Sequence, residues 1–260
     1  MTDKTRFASP AVASEPVGAA LICGGKWHDF DFARVELLKL LGEVTEIRTR
    51  VAEDYSDLEL IASSDLLITY TCDVRPSEDE QVALTRFLEA GGRWFALHGT
   101  NSVLDFLPDG RGSAPTSHDR FQRLLGSRFL AHPPIGRFEV ENVAPDHPLV
   151  DGIEDFEVED EIYLSRLEPD LDVLLQTHFT GKAPGFVDDE WPEDSPRPVL
   201  YLRSVGQGEV LYLTLGHCRG PYDMRPMIPV YPRTERGAWE EPTYYELLRR
   251  GIQWAMSAKR

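Results

Sequence analysis

The stretch Arg93-Trp-Phe-Ala-Leu-His98-Gly99 decides the fold that we expect for this chain. Its apolar residues precede a histidine and a glycine, which predicts a buried strand that ends in a sharp turn. In α/β proteins, groups at the carboxyl end of a central strand line the binding crevice. Many hydrolases hold a nucleophile at such a strand-to-helix turn, but here that position belongs to His98. The stretch therefore predicts a hydrolase-like crevice without the usual covalent chemistry.

Strands and helices alternate on the N-terminal side of this stretch. Apolar runs at 17–23 and 65–71 have the length of strands, and residues 44–51 are a candidate for a further strand between them. Helical periodicity follows at 32–41 and at 82–88, and Ser77 with Glu80 forms a capping-box pattern before the second of these helices. This alternation predicts right-handed crossovers and a parallel, doubly wound sheet.

The pattern changes in the C-terminal half. Strands without long intervening helices are predicted at 137–142, 156–160 and 172–177, followed by a hairpin of 198–203 with 209–214 and a final helix from Pro242. We therefore expect one α/β domain over residues 17–258. It should hold a mostly parallel sheet flanked by helices, with a mixed β extension in its C-terminal half. Residues 1–16 are interpreted as a loose N-terminal tail.

Composition narrows the choice of partners. Lys and Arg number 27 against 44 Asp and Glu, so the net charge of −17 makes a nucleic acid or an anionic membrane a poor partner. No apolar run approaches the roughly 20 residues that cross a bilayer. Cys23, Cys72 and Cys218 are far apart and odd in number, which argues against a disulfide framework. We expect a cytoplasmic protein, with a homo-oligomer left open.

Three predicted strands end in polar segments that each carry a histidine. His28 follows the first strand, His98 the strand quoted above, and His217 the strand that ends at Thr214. Carboxyl ends of neighbouring parallel strands share one edge of a sheet, so these imidazoles should meet in one crevice. A lone histidine after a strand is more often a hydrogen-bonded structural residue, but three strand ends that each carry a histidine favour a functional site.

A carboxylate is expected beside these histidines. Glu161 precedes Ile162 and Tyr163, which should anchor it toward the interior, whereas Glu159 is interpreted as part of a solvated acidic turn. A carboxylate near imidazoles can orient a tautomer, act as a general base or bind metal. His132 is a further candidate ligand. Of the remaining histidines, the sequence predicts that His147 caps a turn, that His118 lies in the first turn of a helix and that His178 has no functional context.

Two chemical alternatives stay open at this point. His98, His217 and Glu161 supply the ligand types of a divalent metal site, but no HExxH-like spacing supports one, so it depends wholly on tertiary convergence. Cys72 or Cys218 would be a nucleophile only if a base or a helix N-terminus lowered the thiol pKa. A free cysteine is more often a small buried apolar residue, which is the interpretation we favour.

Short motifs in a specific order carry a family resemblance. They are Gly24-Gly-Lys-Trp-His28-Asp29-Phe30, Ala96-Leu97-His98-Gly99, Phe121 to His132-Pro133, Asp146-His147-Pro148, Asp160-Glu161-Ile-Tyr163 and Leu215-Gly216-His217. Together, from about Val17 to Met256, they resemble the ThuA-like (trehalose-utilisation) family. The resemblance implies a flavodoxin-like fold similar to that of class I glutamine amidotransferases. Those relatives carry a cysteine at the turn where this chain has His98, so no glutaminase activity is expected.

The resemblance also implies a role in carbohydrate catabolism. We expect a hydrolase or lyase acting on trehalose or a related disaccharide or keto-sugar, with His98 and His217 as acid/base groups and Glu161 orienting one of them or sharing a metal ion. The alternatives are a non-catalytic sugar-binding or interaction module, and a cysteine-dependent amide hydrolase. Predicted substrate contacts are Trp27, His28, Asp29, His132 and Tyr163, with Trp191 and Tyr222 as further faces for stacking against a sugar.

Overall fold

A computed structural model describes residues 15–256, so almost all of the predicted N-terminal tail lies outside the described residues. The strands are β1 (Val17–Gly25), β2 (Ile47–Ala52), β3 (Leu66–Cys72), β4 (Arg93–Leu97), β5 (Asp105–Phe106), β6 (Gly112–Ser113), β7 (Ser127–Ala131), β8 (Gly136–Asn142), β9 (Phe156–Asp160), β10 (Leu164–Leu167), β11 (Asp172–Lys182), β12 (Glu190–Val205) and β13 (Gly208–Leu213). The helices are α1 (Phe30–Gly42), α2 (Leu58–Ser63), α3 (Glu78–Glu89), α4 (Asp119–Leu125) and α5 (Pro242–Met256), with 3-10 turns at His98–Asn101 and Gly237–Glu240.

Nine of the strands form one mixed sheet in the order β2-β1-β3-β4-β13-β12-β11-β8-β9. The first five pair in parallel and the last four pair antiparallel. This arrangement confirms the predicted α/β class, with a parallel part flanked by helices and a mixed extension from the C-terminal half. The β12–β13 hairpin joins the two parts, because β13 runs parallel to β4.

Helices cover both faces of the parallel part, and β3 shows the consequence. Every residue of Leu66–Cys72 is buried, as expected for a strand enclosed on both sides. The helices α1 and α5 pack on one face through residues such as Leu37 and Leu248. The helices α2, α3 and α4 pack on the other through Leu60, Leu84 and Phe121.

Local signals in the sequence account for the helix ends. Asp29 accepts a hydrogen bond from the Phe32 amide and caps α1. The capping box of Ser77 and Glu80 is present at α3, and α4 ends at Gly126 in the left-handed region. None of the helices in the described part of the chain is long and apolar enough to cross a membrane.

Some boundaries differ from the predicted ones. The second strand begins at Ile47 rather than Val44, and α2, β7 and β10 were not predicted, because each has only four to six residues. The strand β12 extends back to Glu190, well before the predicted start of the hairpin at residue 198. The additional residues of β12 pair with the end of β11 and form an exposed arm. Because most residues of the arm are exposed, its sequence has no apolar periodicity from which a strand could be predicted.

Backbone strain in the described residues is confined to one end of the parallel strands. The residues other than glycine with a positive φ are Trp27, Asp73 and His98, which follow β1, β3 and β4. Strained conformations of this kind collect at binding and catalytic sites, where the surrounding structure holds them in place. The carboxyl edge of the sheet is therefore where a site is expected.

Candidate functional site

Three histidines meet at the carboxyl edge of the parallel strands. His28, His98 and His217 follow β1, β4 and β13, and each is at most 5% exposed. Their ring centroids lie 4.8 Å (His28–His98), 5.3 Å (His28–His217) and 5.8 Å (His98–His217) apart. The structure thus brings together the three imidazoles that the sequence placed at strand ends.

Glu161 joins the histidines from the opposite part of the sheet. It directly follows β9, the edge strand of the antiparallel extension, and is 3% exposed. One carboxylate oxygen lies 3.1 Å from His217 Nδ1, and the other lies 3.5 Å from His98 Nε2. Glu159 lies on the exposed face of β9 rather than in a turn.

Asp160 fixes Glu161 relative to His217. Its buried carboxylate accepts hydrogen bonds from the backbone amides of Glu161 at 2.7 Å, Gly216 at 3.1 Å and His217 at 3.2 Å, and from Ala238 at 2.8 Å. These donors belong to three separate segments of the chain. One side chain therefore joins the end of β9 to the segment after β13.

The hydrogen bonds of His28 and His98 fix their tautomers. His98 Nδ1 lies 2.8 Å from the Thr214 carbonyl oxygen, and His28 Nδ1 lies 3.2 Å from the Lys26 carbonyl oxygen. A carbonyl only accepts hydrogen bonds, so both Nδ1 atoms carry hydrogen, and the lone pair of a neutral ring then lies at Nε2. These two Nε2 atoms are 2.9 Å apart. Two lone pairs at that distance repel each other unless a proton or a cation lies between them.

Burial disfavours a proton on His28. It lowers the pKa of His28 well below its usual value, and the nearby imidazoles of His98 and His217 lower it further. His28 is therefore neutral near pH 7. The pair of facing lone pairs is a feature that a cation would stabilise.

His217 is held between two carboxylates. Its Nε2 lies 3.0 Å from Glu235 Oε2, and its Nδ1 faces Glu161 without a well-aligned hydrogen bond. Burial alone would lower the pKa of His217, but Glu161 and Glu235 outweigh burial and raise it to about 9. Burial would raise the pKa of Glu161, but His132 and His217 hold it well below its usual value. Without a metal ion, His217 and Glu161 therefore form a buried ion pair.

His28, His98, His217 and Glu161 each offer one ligand atom, and these four atoms lie within 4.8 Å of one another. Among the described residues, these are the candidates to hold a metal ion. The set contains the three metal candidates from the sequence and adds His28, which was predicted as a substrate contact.

An inner cavity of about 260 Å³ opens onto this cluster. His28, Glu161 and Tyr163 lie in its wall, and the Tyr163 hydroxyl is 3.3 Å from His98 Nε2. His132 also lines it, with Nε2 3.8 Å from Glu161 Oε1. Apolar side chains form most of the remaining wall, including Trp27, Leu104, Phe106, Phe129, Phe186, Met224 and Met227.

The sequence matches the ThuA family, described as trehalose utilisation, over residues 20–228. The chain belongs to the ThuA family. No curated protein gives a significant sequence match.

Solved structures of ThuA-like proteins share the fold. The chain is similar to one from Bacteroides uniformis, with a TM-score of 0.65, 18% identity and 95% of each chain covered. It is equally similar to one from Parabacteroides merdae, with a TM-score of 0.65, 16% identity, and 92% of this chain and 90% of that chain covered. A β-galactosidase from Rahnella sp. R3 contains a similar region, with a TM-score of 0.54, 14% identity, and 94% of this chain but 31% of that chain covered.

Several predicted residues of this ThuA-family chain lie away from the cluster. Asp29 caps α1 and pairs with Arg236 at 3.1 Å. Trp191 packs under Arg197, and Tyr222 is 59% exposed beneath Arg225. Neither aromatic ring lines the inner cavity.

The three histidines for which the sequence predicted no catalytic or binding role also lie away from the cluster. His147 Nδ1 accepts a hydrogen bond from the Leu149 amide, which confirms the predicted turn cap. His118 is the N-cap residue of α4 rather than a residue of its first turn. His178 is partly exposed and lies 3.2 Å from Asp194.

The cysteines are buried and free. Burial raises the pKa of Cys23 and Cys218 to about 12, and it raises the pKa of Cys72 well above its usual value. Cys72 lines the inner cavity, but its burial and the charges of Glu161 and Asp73 outweigh the effect of Arg219 and Lys26, which favour a thiolate. This arrangement gives no support to a cysteine-dependent hydrolase.

Sequence reasoning missed the residues that hold the site together. Glu235 orients His217, and Arg219 joins Glu235 at 3.2 Å. Asp73 anchors Lys26 at 2.6 Å and accepts the Leu104 amide at 3.1 Å. For Asp160, the signal was its position beside Glu161 at the end of a predicted strand; for Glu235 and Arg219 the sequence offered none.

Proposed function

We propose that this chain holds a divalent metal ion through His28, His98, His217 and Glu161, and that it is an enzyme acting on a small sugar. The observation that carries the proposal is the pair of Nε2 atoms 2.9 Å apart, each on a ring whose Nδ1 already donates to a carbonyl. A cation between these two Nε2 atoms would stabilise that arrangement.

The residues fit a metal ion in distance and type. Ligand atoms bound at about 2.0–2.2 Å are at most about 4.4 Å apart, so a small side-chain rotation brings the widest pair of the cluster into range. Three imidazole nitrogens and one carboxylate oxygen suit zinc, iron or nickel better than calcium or magnesium. All four residues are buried, so a bound ion would be shielded from bulk solvent except on the side of the inner cavity.

Outer contacts orient each imidazole, as is usual for metal-bound histidines. His28 and His98 donate to backbone carbonyls, and His217 donates to the Glu235 carboxylate. Each ring is thereby fixed with its lone pair toward the centre of the cluster. This common arrangement supports metal ligation over a structural role for any one histidine.

A bound ion of this kind polarises a carbonyl or hydroxyl oxygen of the substrate or lowers the pKa of a bound water. Proton transfer then suits His132 better than His98 and His217, which are fully buried and would act as ligands. His132 Nδ1 donates to the Pro133 carbonyl, which leaves Nε2 as the atom that gains or loses a proton near Glu161. The Tyr163 hydroxyl, beside His98, is placed to donate a hydrogen bond to substrate in the inner cavity.

A sugar substrate is supported by the family description and by the aromatic wall of the inner cavity, where Trp27 and Phe129 offer faces for the C–H surface of a ring. We place the activity in the cytoplasm, because free cysteines suit a reducing compartment.

A turnover screen tests this proposal. Trehalose, related disaccharides and their keto derivatives would be incubated with the chain after chelation and after re-addition of Zn²⁺, Fe²⁺ or Ni²⁺. We expect turnover only with metal, and we expect Glu161→Gln and His98→Ala to lower it by at least about 10²-fold. The control is His178→Ala, a histidine outside the cluster.

Full activity after chelation would refute the metal-dependent mechanism. Saturable sugar binding with no turnover under any metal would instead identify a binding module. Neither binding nor conversion of any of these sugars would refute the carbohydrate assignment.

A further inference from the structure

The cluster is reached from two cavities. Beside the inner cavity lies an outer cavity of about 480 Å³, and the walls of both include His132, Glu161 and Arg219. We propose that the substrate consists of two units, one in each cavity, and that the bond joining them lies beside these three shared residues. This inference rests on the proposed function above and adds which part of the substrate each cavity takes.

The inner cavity suits one unit with an apolar face. Five aromatic side chains line it, and they meet edge to face: Trp27 with Phe106 at 5.7 Å, and Phe129 with Phe186 at 5.7 Å. Ligand cavities commonly measure about 300–1,000 Å³, so 260 Å³ is small for a complete two-ring ligand. A single sugar ring fits better, with its hydroxyls toward His28 and Glu161.

The outer cavity has a different chemistry. Its wall contains four arginines and five glutamates: Arg137, Arg219, Arg233, Arg236, Glu159, Glu161, Glu235, Glu240 and Glu241. Donors and acceptors are therefore interspersed with little net charge. Hydroxyl groups donate and accept, so they match both kinds of side chain, whereas the attraction of an anionic group to the arginines is offset by repulsion from the glutamates and by the cost of desolvating the anion. A neutral polyhydroxylated unit is the class that this wall fits.

One loop forms part of both walls. Arg219 and Glu235 close its base with two backbone hydrogen bonds of 2.9 and 2.8 Å. Within the loop, Met224 and Met227 line the inner cavity, and Arg233 and Thr234 line the outer one. A ligand that occupies both cavities thus contacts both sides of this loop. Substitutions on its outer side can be made without altering the inner wall.

Calorimetry on the metal-loaded chain tests the two-unit substrate, with product formation followed in parallel. The probes are trehalose, a neutral two-ring sugar; methyl α-glucoside, its one-ring counterpart; and trehalose 6-phosphate, an anionic analogue. We expect trehalose to bind at least about tenfold more tightly than methyl α-glucoside, because only trehalose reaches both cavities. Trehalose 6-phosphate should bind more weakly than trehalose.

Variants locate the second unit. Arg233→Ala, at an exposed position of the outer wall, should reduce the preference for trehalose over methyl α-glucoside by about threefold to tenfold. Phe106→Ala, in the inner wall, should weaken both sugars to a similar extent. The matched control is Arg48→Ala, an exposed arginine on β2 at the far edge of the sheet.

Each contrary result overturns a defined statement. Equal affinity for the one-ring and two-ring sugars, or an unchanged preference in Arg233→Ala, overturns the two-unit substrate. Tighter binding of trehalose 6-phosphate overturns the neutral outer unit. If the chain binds metal but neither neutral sugar, the two-unit sugar is wrong while the metal centre stands; if it binds no metal, the proposed function itself fails.

Discussion

The substitution Asp160→Asn tests the contacts that position the proposed metal ligands without changing any of the ligands themselves. Asp160 touches none of the four proposed ligand atoms, but it accepts the amides of Glu161, Gly216, His217 and Ala238. Asparagine keeps the size of the side chain and one accepting oxygen. Its NH₂ group cannot accept a hydrogen bond from a backbone amide.

The structure gives the expected magnitude. If the asparagine oxygen takes the place of Oδ2, the bonds from Gly216, His217 and Ala238 survive, and the bond of 2.7 Å from the Glu161 amide is lost. A buried hydrogen bond to a charged group contributes about 1.5–3 kcal/mol, and the Glu161 amide would face another donor. We expect the free energy of unfolding to fall by about 3 kcal/mol.

The same substitution should weaken metal binding by about 10–100-fold, because Glu161 and His217 lose their common anchor. Urea denaturation measures the first quantity, and calorimetric titration with Zn²⁺ measures the second under native conditions. Glu157→Gln serves as the control, since Glu157 lies on the same strand with an exposed side chain. A change in unfolding free energy below about 0.5 kcal/mol together with unchanged Zn²⁺ affinity would show that the reasoning about Asp160 is wrong.

Three further predictions follow from the same contacts. Metal binding must displace the proton that Glu161 and Glu235 hold on His217, whose pKa is about 9, so the apparent affinity for Zn²⁺ should rise about tenfold per pH unit from pH 6 to 8; a titration without that slope counts against His217 as a ligand. Gly216→Ala should destabilise the fold by at least about 2 kcal/mol, because φ is +125° and the new Cβ would collide with the Tyr244 hydroxyl; urea denaturation checks this, and partial recovery in a double variant with Tyr244→Phe is expected. Iodoacetamide at pH 7 should leave the native chain unmodified, and glutamine hydrolysis should be undetectable, because burial raises the pKa of each thiol; mass spectrometry that shows rapid alkylation of Cys72 would reopen the thiol mechanism.

The sequence was sufficient for the parallel part of the fold because its signals are local. The apolar run of β3 and the capping box of α3 each lie within a dozen residues. The meeting of three histidines could also be predicted, since parallel strands end at one edge of a sheet whatever their detailed packing. Short elements such as α2 and the long arm of β12 could not, because their formation depends on neighbours distant in the chain.

The contacts that hold the site together could not be predicted from the sequence either, because they also join residues that are distant in the chain. Asp160 binds the amide of His217, which is 57 residues away, and nothing in the intervening sequence encodes that contact. Glu235 reaches His217 from a loop whose path has no periodicity. Likewise, Trp191 and Tyr222 are aromatic residues of the kind that stack against sugars. Only the course of the backbone shows that they lie outside the inner cavity.

The central claim is that His28, His98, His217 and Glu161 hold one metal ion. Crystals grown with Zn²⁺ and measured at the zinc absorption edge test it most directly. The account predicts one anomalous peak per chain at about 2.0–2.2 Å from an imidazole nitrogen of each histidine and from a Glu161 oxygen. A well-ordered cluster with no peak between these side chains, and His217 paired with Glu161 alone, would contradict it.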